Sequence, residues 1–130
     1  MKLWQSILAG CRRRKRTKDV LFSNALGGSV YSCALGAAYE GVAGEVCWDS
    51  NRAYDRLNKT FPVLNKEARC PVRGCRSVPM MFCTLGSIIT HLNDDHGWSR
   101  ERIALEVVRP TEEQAESGSS LDVDDFPTAA

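Results

Sequence analysis

Two cysteines and two histidines fall into a pattern that can do chemistry. The stretch Cys70-Pro71-Val72-Arg73-Gly74-Cys75 is followed after fifteen residues by His91-Leu92-Asn93-Asp94-Asp95-His96, so each pair of like donors has four residues between its members. Soft thiolates combined with imidazoles suit a tetrahedral zinc ion, and the paired spacing lets each half of a site come from one local turn of backbone. The expected ligands are Cys70, Cys75, His91 and His96 around one structural Zn2+. Four protein ligands fill a tetrahedron and leave no position for water, so the ion would be structural and not catalytic. The fifteen-residue gap keeps a second assignment open, in which Cys83 replaces one histidine.

These elements must bring the donors together. Proline fixes one backbone angle of the Cys70–Cys75 turn, and Gly74 can take the positive φ that lets both sulfurs point inward. Arg76 to Phe82 reads as a returning strand, lying at an edge because of Pro79. Thr84 is the expected N-cap of a helix on which Leu85, Ile88, Ile89 and Leu92 form one apolar stripe. Positions i and i+5 of an ideal helix are about 140° apart, so His91 and His96 can share an ion only if the last turn loosens, and Gly97 offers the exit.

With the ligand order, the short spacings and the intervening strand and helix, residues 70–96 resemble a zinc finger of the two-cysteine, two-histidine type. The gap is longer than the twelve usual in fingers that read DNA. The exposed helix positions are expected to be Ser87, Thr90, Asn93, Asp94 and Asp95, and two aspartates there would repel phosphate. The resemblance therefore implies metal binding but not base reading. A second resemblance, of residues 32–38 (Ser-Cys-Ala-Leu-Gly-Ala-Ala) and 91–104, is to small uncharacterised proteins of bacteria and their phages. It implies no activity.

The remaining sequence reads as a mostly helical α+β chain, with about five short helices and one small β-hairpin at the finger. Leu3, Trp4, Ile7, Leu8 and Cys11 mark an amphipathic helix from Leu3 to about Lys15. Val20–Phe22 and Val30–Tyr31 are expected as short extended pieces around Gly27-Gly28-Ser29. Ser32 would cap a helix of small residues in which Gly36 and Gly41 imply close backbone contact with a neighbour. Asp49 begins the caps of a helix to about Phe61, with Tyr54, Leu57 and Phe61 buried. Ser99 caps a last helix that Pro110 is expected to stop, with disorder from Thr111 onward. The segments are 1–18, an N-terminal helix with a basic arm; 19–66, a helical body; 67–110, the finger with its C-terminal helix; and 111–130, an acidic tail.

Charge is polarised along the chain. Residues 1–110 hold all 17 basic residues against 10 acidic, a net +7, whereas 111–130 hold six acidic and no basic residues. Arg12, Arg13, Arg14, Lys15, Arg16 and Lys18 concentrate the positive charge into a candidate surface for nucleic acid or an acidic partner. The tail segment Leu121-Asp122-Val123-Asp124-Asp125-Phe126-Pro127 mixes acidic and apolar residues in a way suited to a basic, hydrophobic groove. No apolar run is long enough to span a bilayer, and the N-terminal order of apolar then basic residues is the reverse of a secretory signal. The expected location is therefore the cytoplasm, or a virion or host cytoplasm if a phage encodes the protein. Cys11, Cys33 and Cys47 read as plain thiols, and no nucleophile–base pair or paired carboxylates suggest an enzyme. The expectation is a zinc-stabilised binding or assembly module with a protein partner, or alternatively a regulator that holds nucleic-acid phosphate through the basic arm.

Overall fold

The computed structural model describes residues 1–24, 29–75 and 83–116. Its elements are α1 (Leu3–Cys11), β1 (Lys15–Arg16), β2 (Phe22–Asn24), β3 (Val30–Ser32), α2 (Ala34–Ala43), α3 (Ser50–Thr60), a 3-10 turn (Pro62–Asn65), α4 (Leu85–Asp94) and α5 (Arg100–Ile103). Without a break α5 passes through a π-helical stretch, Ala104–Val108, into residues 109–116. The fold is mostly helical α+β, as expected. Its three-stranded sheet has the order β1-β3-β2, with β1 parallel and β2 antiparallel to β3.

The helix α1 ends at Cys11 instead of continuing to Lys15. The chain turns through residues 12–14, and Lys15 and Arg16 enter the sheet, where Thr17 N also donates to Ser32 O at 2.9 Å. Pairing of the β3 edge thus overrides helix propensity for the basic run. At the next helix the cap moves one residue: Cys33 Sγ accepts from Gly36 N at 3.4 Å, and Ser32 is freed for another bond. Asp49 caps α3 through Arg52 N at 3.2 Å. The buried stripe of α3 is Ala53, Leu57 and Phe61; Tyr54 is 39% exposed, because a 3.6-residue repeat back from Leu57 reaches Ala53 first.

Small residues let α1 and α2 meet backbone to backbone. A Cβ added to Gly10 would collide with the Ala37 carbonyl, and one added to Gly41 with the Ser6 carbonyl. The pairs run in opposite senses, Ser6 with Gly41 and Gly10 with Ala37, so the helices pack antiparallel. The contact joins Leu3 and Ile7 to a single buried cluster that extends through α2, α3 and α4 to Val108. Segments 1–18, 19–66 and 67–110 therefore share one core.

Pro110 does not stop the last helix. In a regular α-helix its ring would press on the Glu106 carbonyl. Here the preceding π turn widens the coil, with Arg109 N bonding Ala104 O. The helix then continues to residue 116, so the expected disorder does not begin at Thr111; residues 117–130 lie outside the described ones. The gain is a clasp on α1. Glu112 Oε2 and Oε1 accept from Leu3 N and Trp4 N, both at 2.9 Å, closing the positive end of α1 with a carboxylate. At the other end Arg100 donates through Nη2 to the Arg14 carbonyl at 2.6 Å and the Cys11 carbonyl at 3.5 Å.

Two substitutions test this packing. Gly41→Ala is expected to destabilise by about 3 kcal/mol, since backbone cannot yield as a side chain can. Glu112→Ala is expected to cost about 2 kcal/mol by leaving two buried N–H groups unpaired. Urea unfolding followed by circular dichroism measures both, and an alanine at Gly41 that leaves the midpoint unchanged would contradict the close approach.

Candidate metal centre

The segment that carries Cys70 and Cys75 is anchored on the core at its base. Glu67 pairs with Thr84 in an antiparallel bridge, Ala68 N donates to Cys83 O at 3.3 Å and Leu85 N to Lys66 O at 2.8 Å. The expected strand over Arg76–Phe82 lies outside the described residues. Above the bridge the Cys70–Cys75 turn closes with Cys75 N to Val72 O at 3.2 Å, and Gly74 takes φ +80° as its position requires. Thr84 Oγ1 caps α4 through Ser87 N at 3.2 Å, and Leu85, Ile88, Ile89 and Leu92 are all fully buried.

The end of α4 solves the angular problem posed by the histidines. Both Asp95 N, at 2.8 Å, and His96 N, at 3.4 Å, approach the His91 carbonyl, so the coil widens over its last turn. Trp98 N then bonds Leu92 O at 3.0 Å across Gly97, whose φ is +65°. This is the left-handed exit that glycine supplies without strain. The two imidazoles consequently meet edge to face, with centroids 4.6 Å apart.

The four residues converge as the spacing implied. One donor atom from each of Cys70, Cys75, His91 and His96 lies within 4.8 Å of every other, a group that can hold a metal ion. Cys75 Sγ is 3.3 Å from His91 Nε2 and 3.4 Å from His96 Nε2, and Cys70 Sγ is 3.5 Å from His96 Nε2. Cys83 is buried in the core and is not in this group.

A carboxylate completes the arrangement. His91 Nδ1 is 2.7 Å from Asp95 Oδ2, which orients the ring and points Nε2 at the sulfurs. Histidine ligands of metals are regularly held this way. Burial opposes protonation of His91, but hydrogen bonds and charge from Cys75 and Asp95 outweigh it and raise the imidazole pKa. The proton and a cation compete for the same place. Burial also raises the Cys70 thiol, against a backbone hydrogen bond from Val72 and with the neighbouring Cys75 adding to the rise. Both effects favour the protonated thiol, and a cation bound between the sulfurs would favour the thiolate instead.

Sequence reasoning missed Asp95 as a partner of His91, although their i, i+4 spacing on one helix was the signal. It also placed Asn93 on the exposed face. Asn93 is fully buried: its Oδ1 accepts from Ala34 N at 3.2 Å, and its Nδ2 donates to Thr17 O at 2.9 Å and to Asp94 Oδ1 at 2.8 Å. The helix end that presents His91 to the metal group thus ties α2 and the basic arm together through Asn93. Cys11, its thiol pushed up to about 12 by burial, and Cys33, raised for the same reason, match the expectation of inert thiols.

The basic arm is divided by its contacts. Arg14 Nε lies 3.3 and 3.1 Å from the two carboxylate oxygens of the fully buried Glu40, and Arg13 Nε is 3.3 Å from Oε2. Arg16 donates to the Asn93 carbonyl. Arg12, Lys15 and Lys18 are exposed and form no ion pair among the described residues.

No protein-family model matches the chain, and comparison with curated proteins and with solved structures gives no match. The metal-binding character of residues 70–96 accordingly rests on the convergence of the four donors.

Asp95→Asn should weaken metal affinity by about 10- to 100-fold while leaving the fold intact, because it keeps the side-chain shape but removes the charge that raises imidazole basicity. Competition against a chromophoric chelator would measure it. An unchanged affinity would show that Asp95 plays no part in metal binding.

Proposed function

We propose that this protein is a zinc-stabilised binding module that engages a protein partner. The observation that carries the reading is the closed set of two sulfurs and two imidazole nitrogens. A tetrahedral ion with bonds of about 2.3 Å to sulfur and about 2.0 Å to nitrogen has S···N edges of about 3.5 Å. The three separations of 3.3, 3.4 and 3.5 Å fit such an ion after slight expansion. Zinc is favoured over softer or harder cations by this equal mixture of thiolate and imidazole. With four protein ligands the ion would fix shape and leave no open position for a reacting molecule. A groove of about 510 Å³ beside it, with Leu35 and Leu64 as apolar lining and Tyr54, Asn58 and Thr90 as polar lining, gives a surface for the partner.

Native mass spectrometry should find one zinc per chain. Strong chelation should unfold the residues around α4, since structural zinc contributes about 10 to 16 kcal/mol, comparable to the whole stability of a small domain. Alkylation under native conditions should then gain Cys70 and Cys75 as newly reactive thiols. A metal-free protein that stays folded with the same thiol count would overturn the proposal.

The second reading, contact with nucleic-acid phosphate, draws on the exposed part of the basic arm. Arg12, Lys15 and Lys18 stand clear of acidic partners among the described residues, and a cleft of about 240 Å³ beside them is lined by Arg13, Arg14, Lys15 and Tyr31. Because Arg13, Arg14 and Arg16 are already engaged, three cations remain to release counterions. Duplex DNA affinity should fall with salt with a log–log slope of about −3, and not the −5 or so of six free cations. Absence of salt-sensitive binding would remove this reading.

A further inference from the structure

The outward face of α1 is unlike the outward faces of the other helices. Met1, Trp4, Gln5, Leu8, Ala9 and Arg12 recur at helical spacing and line a cavity of about 530 Å³ running the length of the helix. Met1 is 75% exposed, and Trp4 and Leu8 are only partly covered by the core. The Trp4 indole Nε1–H is shielded from solvent yet has no acceptor among the described residues. A buried donor without an acceptor is unfavourable. The groove is apolar along most of its length and basic at its end, where Arg12 lies.

The C-terminal helix delivers the rest of the chain to the start of this groove. Glu112 is fixed on Leu3 N and Trp4 N, and Glu116, the last described residue, pairs with Lys2. Beyond Glu116 the chain reads Ser117-Gly118-Ser119-Ser120 and then Leu121-Asp122-Val123-Asp124-Asp125-Phe126-Pro127. The geometry points to the groove on α1 as the docking site of this chain's own segment 121–127, with its apolar side chains on Trp4, Leu8 and Ala9 and its carboxylates at the Arg12 end.

Length and charge both select this occupant. From Met1 to Arg12 the helix face is about 16 Å long at 1.5 Å per residue. Residues 117–121 extend up to about 17 Å, so Leu121 falls within the groove and the aspartates reach its basic end. Asp122, Asp124 and Asp125 complement Arg12, which no acidic residue among the described ones engages. A tether this short gives a local concentration in the millimolar range, which a second copy or a foreign peptide of equal intrinsic affinity does not match. A ligand for this face or for the exposed arm cations must displace the segment, so the acidic segment acts as a built-in competitor.

Nuclear magnetic resonance on the full-length, metal-loaded chain tests the assignment. Docking predicts Overhauser contacts from the Phe126 ring to Leu8 and Ala9 methyls. In the double variant Leu121→Ser with Phe126→Ser these contacts vanish and the amides of residues 4–12 shift, while those of α3 and α4 hold still. Random-coil shifts for residues 121–127 in the unaltered chain, with α1 amides identical in the double variant, would overturn it. So would contacts that appear only between differently labelled chains in a mixed sample, since they would make a second copy the occupant. Both serines replace residues beyond the described core, so loss of folding does not confound the result.

Discussion

Two thiols and two imidazoles meet in this structure with one donor atom of each within 4.8 Å of every other, a group that can hold a metal ion. Their lone pairs face inward, the sulfurs resist joint ionisation, and the His91 ring is buried away from water that could otherwise separate them. The rest of this small fold is arranged so that the four cannot avoid each other. The bridge between Glu67 and Thr84 holds the base of the finger, the Gly74 turn aims the sulfurs, and the widened end of α4 swings His96 back beside His91. Each device is local. Their sum brings one donor atom from each of the four residues within 4.8 Å of every other.

α4 works on two faces at once. Toward the finger it presents His91, oriented by Asp95; toward the body it presents Asn93, whose amide joins the first turn of α2 to the backbone of the basic arm. A buried amide of this kind is tolerated because both ends are satisfied. Arg100 plays a comparable part, reaching Ser32 Oγ at 2.8 Å as well as the carbonyls of Cys11 and Arg14. Metal group, sheet and first helix are thus linked by named polar contacts, and the hydrophobic cluster fills the space between them.

The basic run illustrates how tertiary contacts reassign charge. As a string it suggests six equivalent cations. In the fold the buried Glu40 carboxylate, which would be costly unpaired, is met by the partly exposed Arg13 and Arg14, and Arg16 is spent on a helix-end carbonyl. Only the remaining three present charge for an external anion. Acidic residues divide in the same way: Glu112 is a cap for α1, whereas Asp95 orients the His91 ring.

Short-range rules read along the chain were enough for the metal group, the Thr84, Asp49 and Ser99 caps, the core face of α4 and the need for backbone contact at Gly36 and Gly41. Spacing in turns and helices, side-chain capping and the absence of a Cβ are all properties of neighbouring residues. Other outcomes came from the assembled fold alone: the basic run leaves α1 for the sheet, Asn93 turns inward, Glu40 and Arg100 are buried, and the last helix passes Pro110. Each of these depends on a partner distant in the chain. A β3 edge for Lys15, an α2 terminus for Asn93 and two unpaired N–H groups of α1 for Glu112 all outweigh the local preference. Those partners lie tens of residues away, up to about 110 for Glu112, and no window along the chain contains both members of such a pair. In a domain this small, contacts of that range settle where the charges can act.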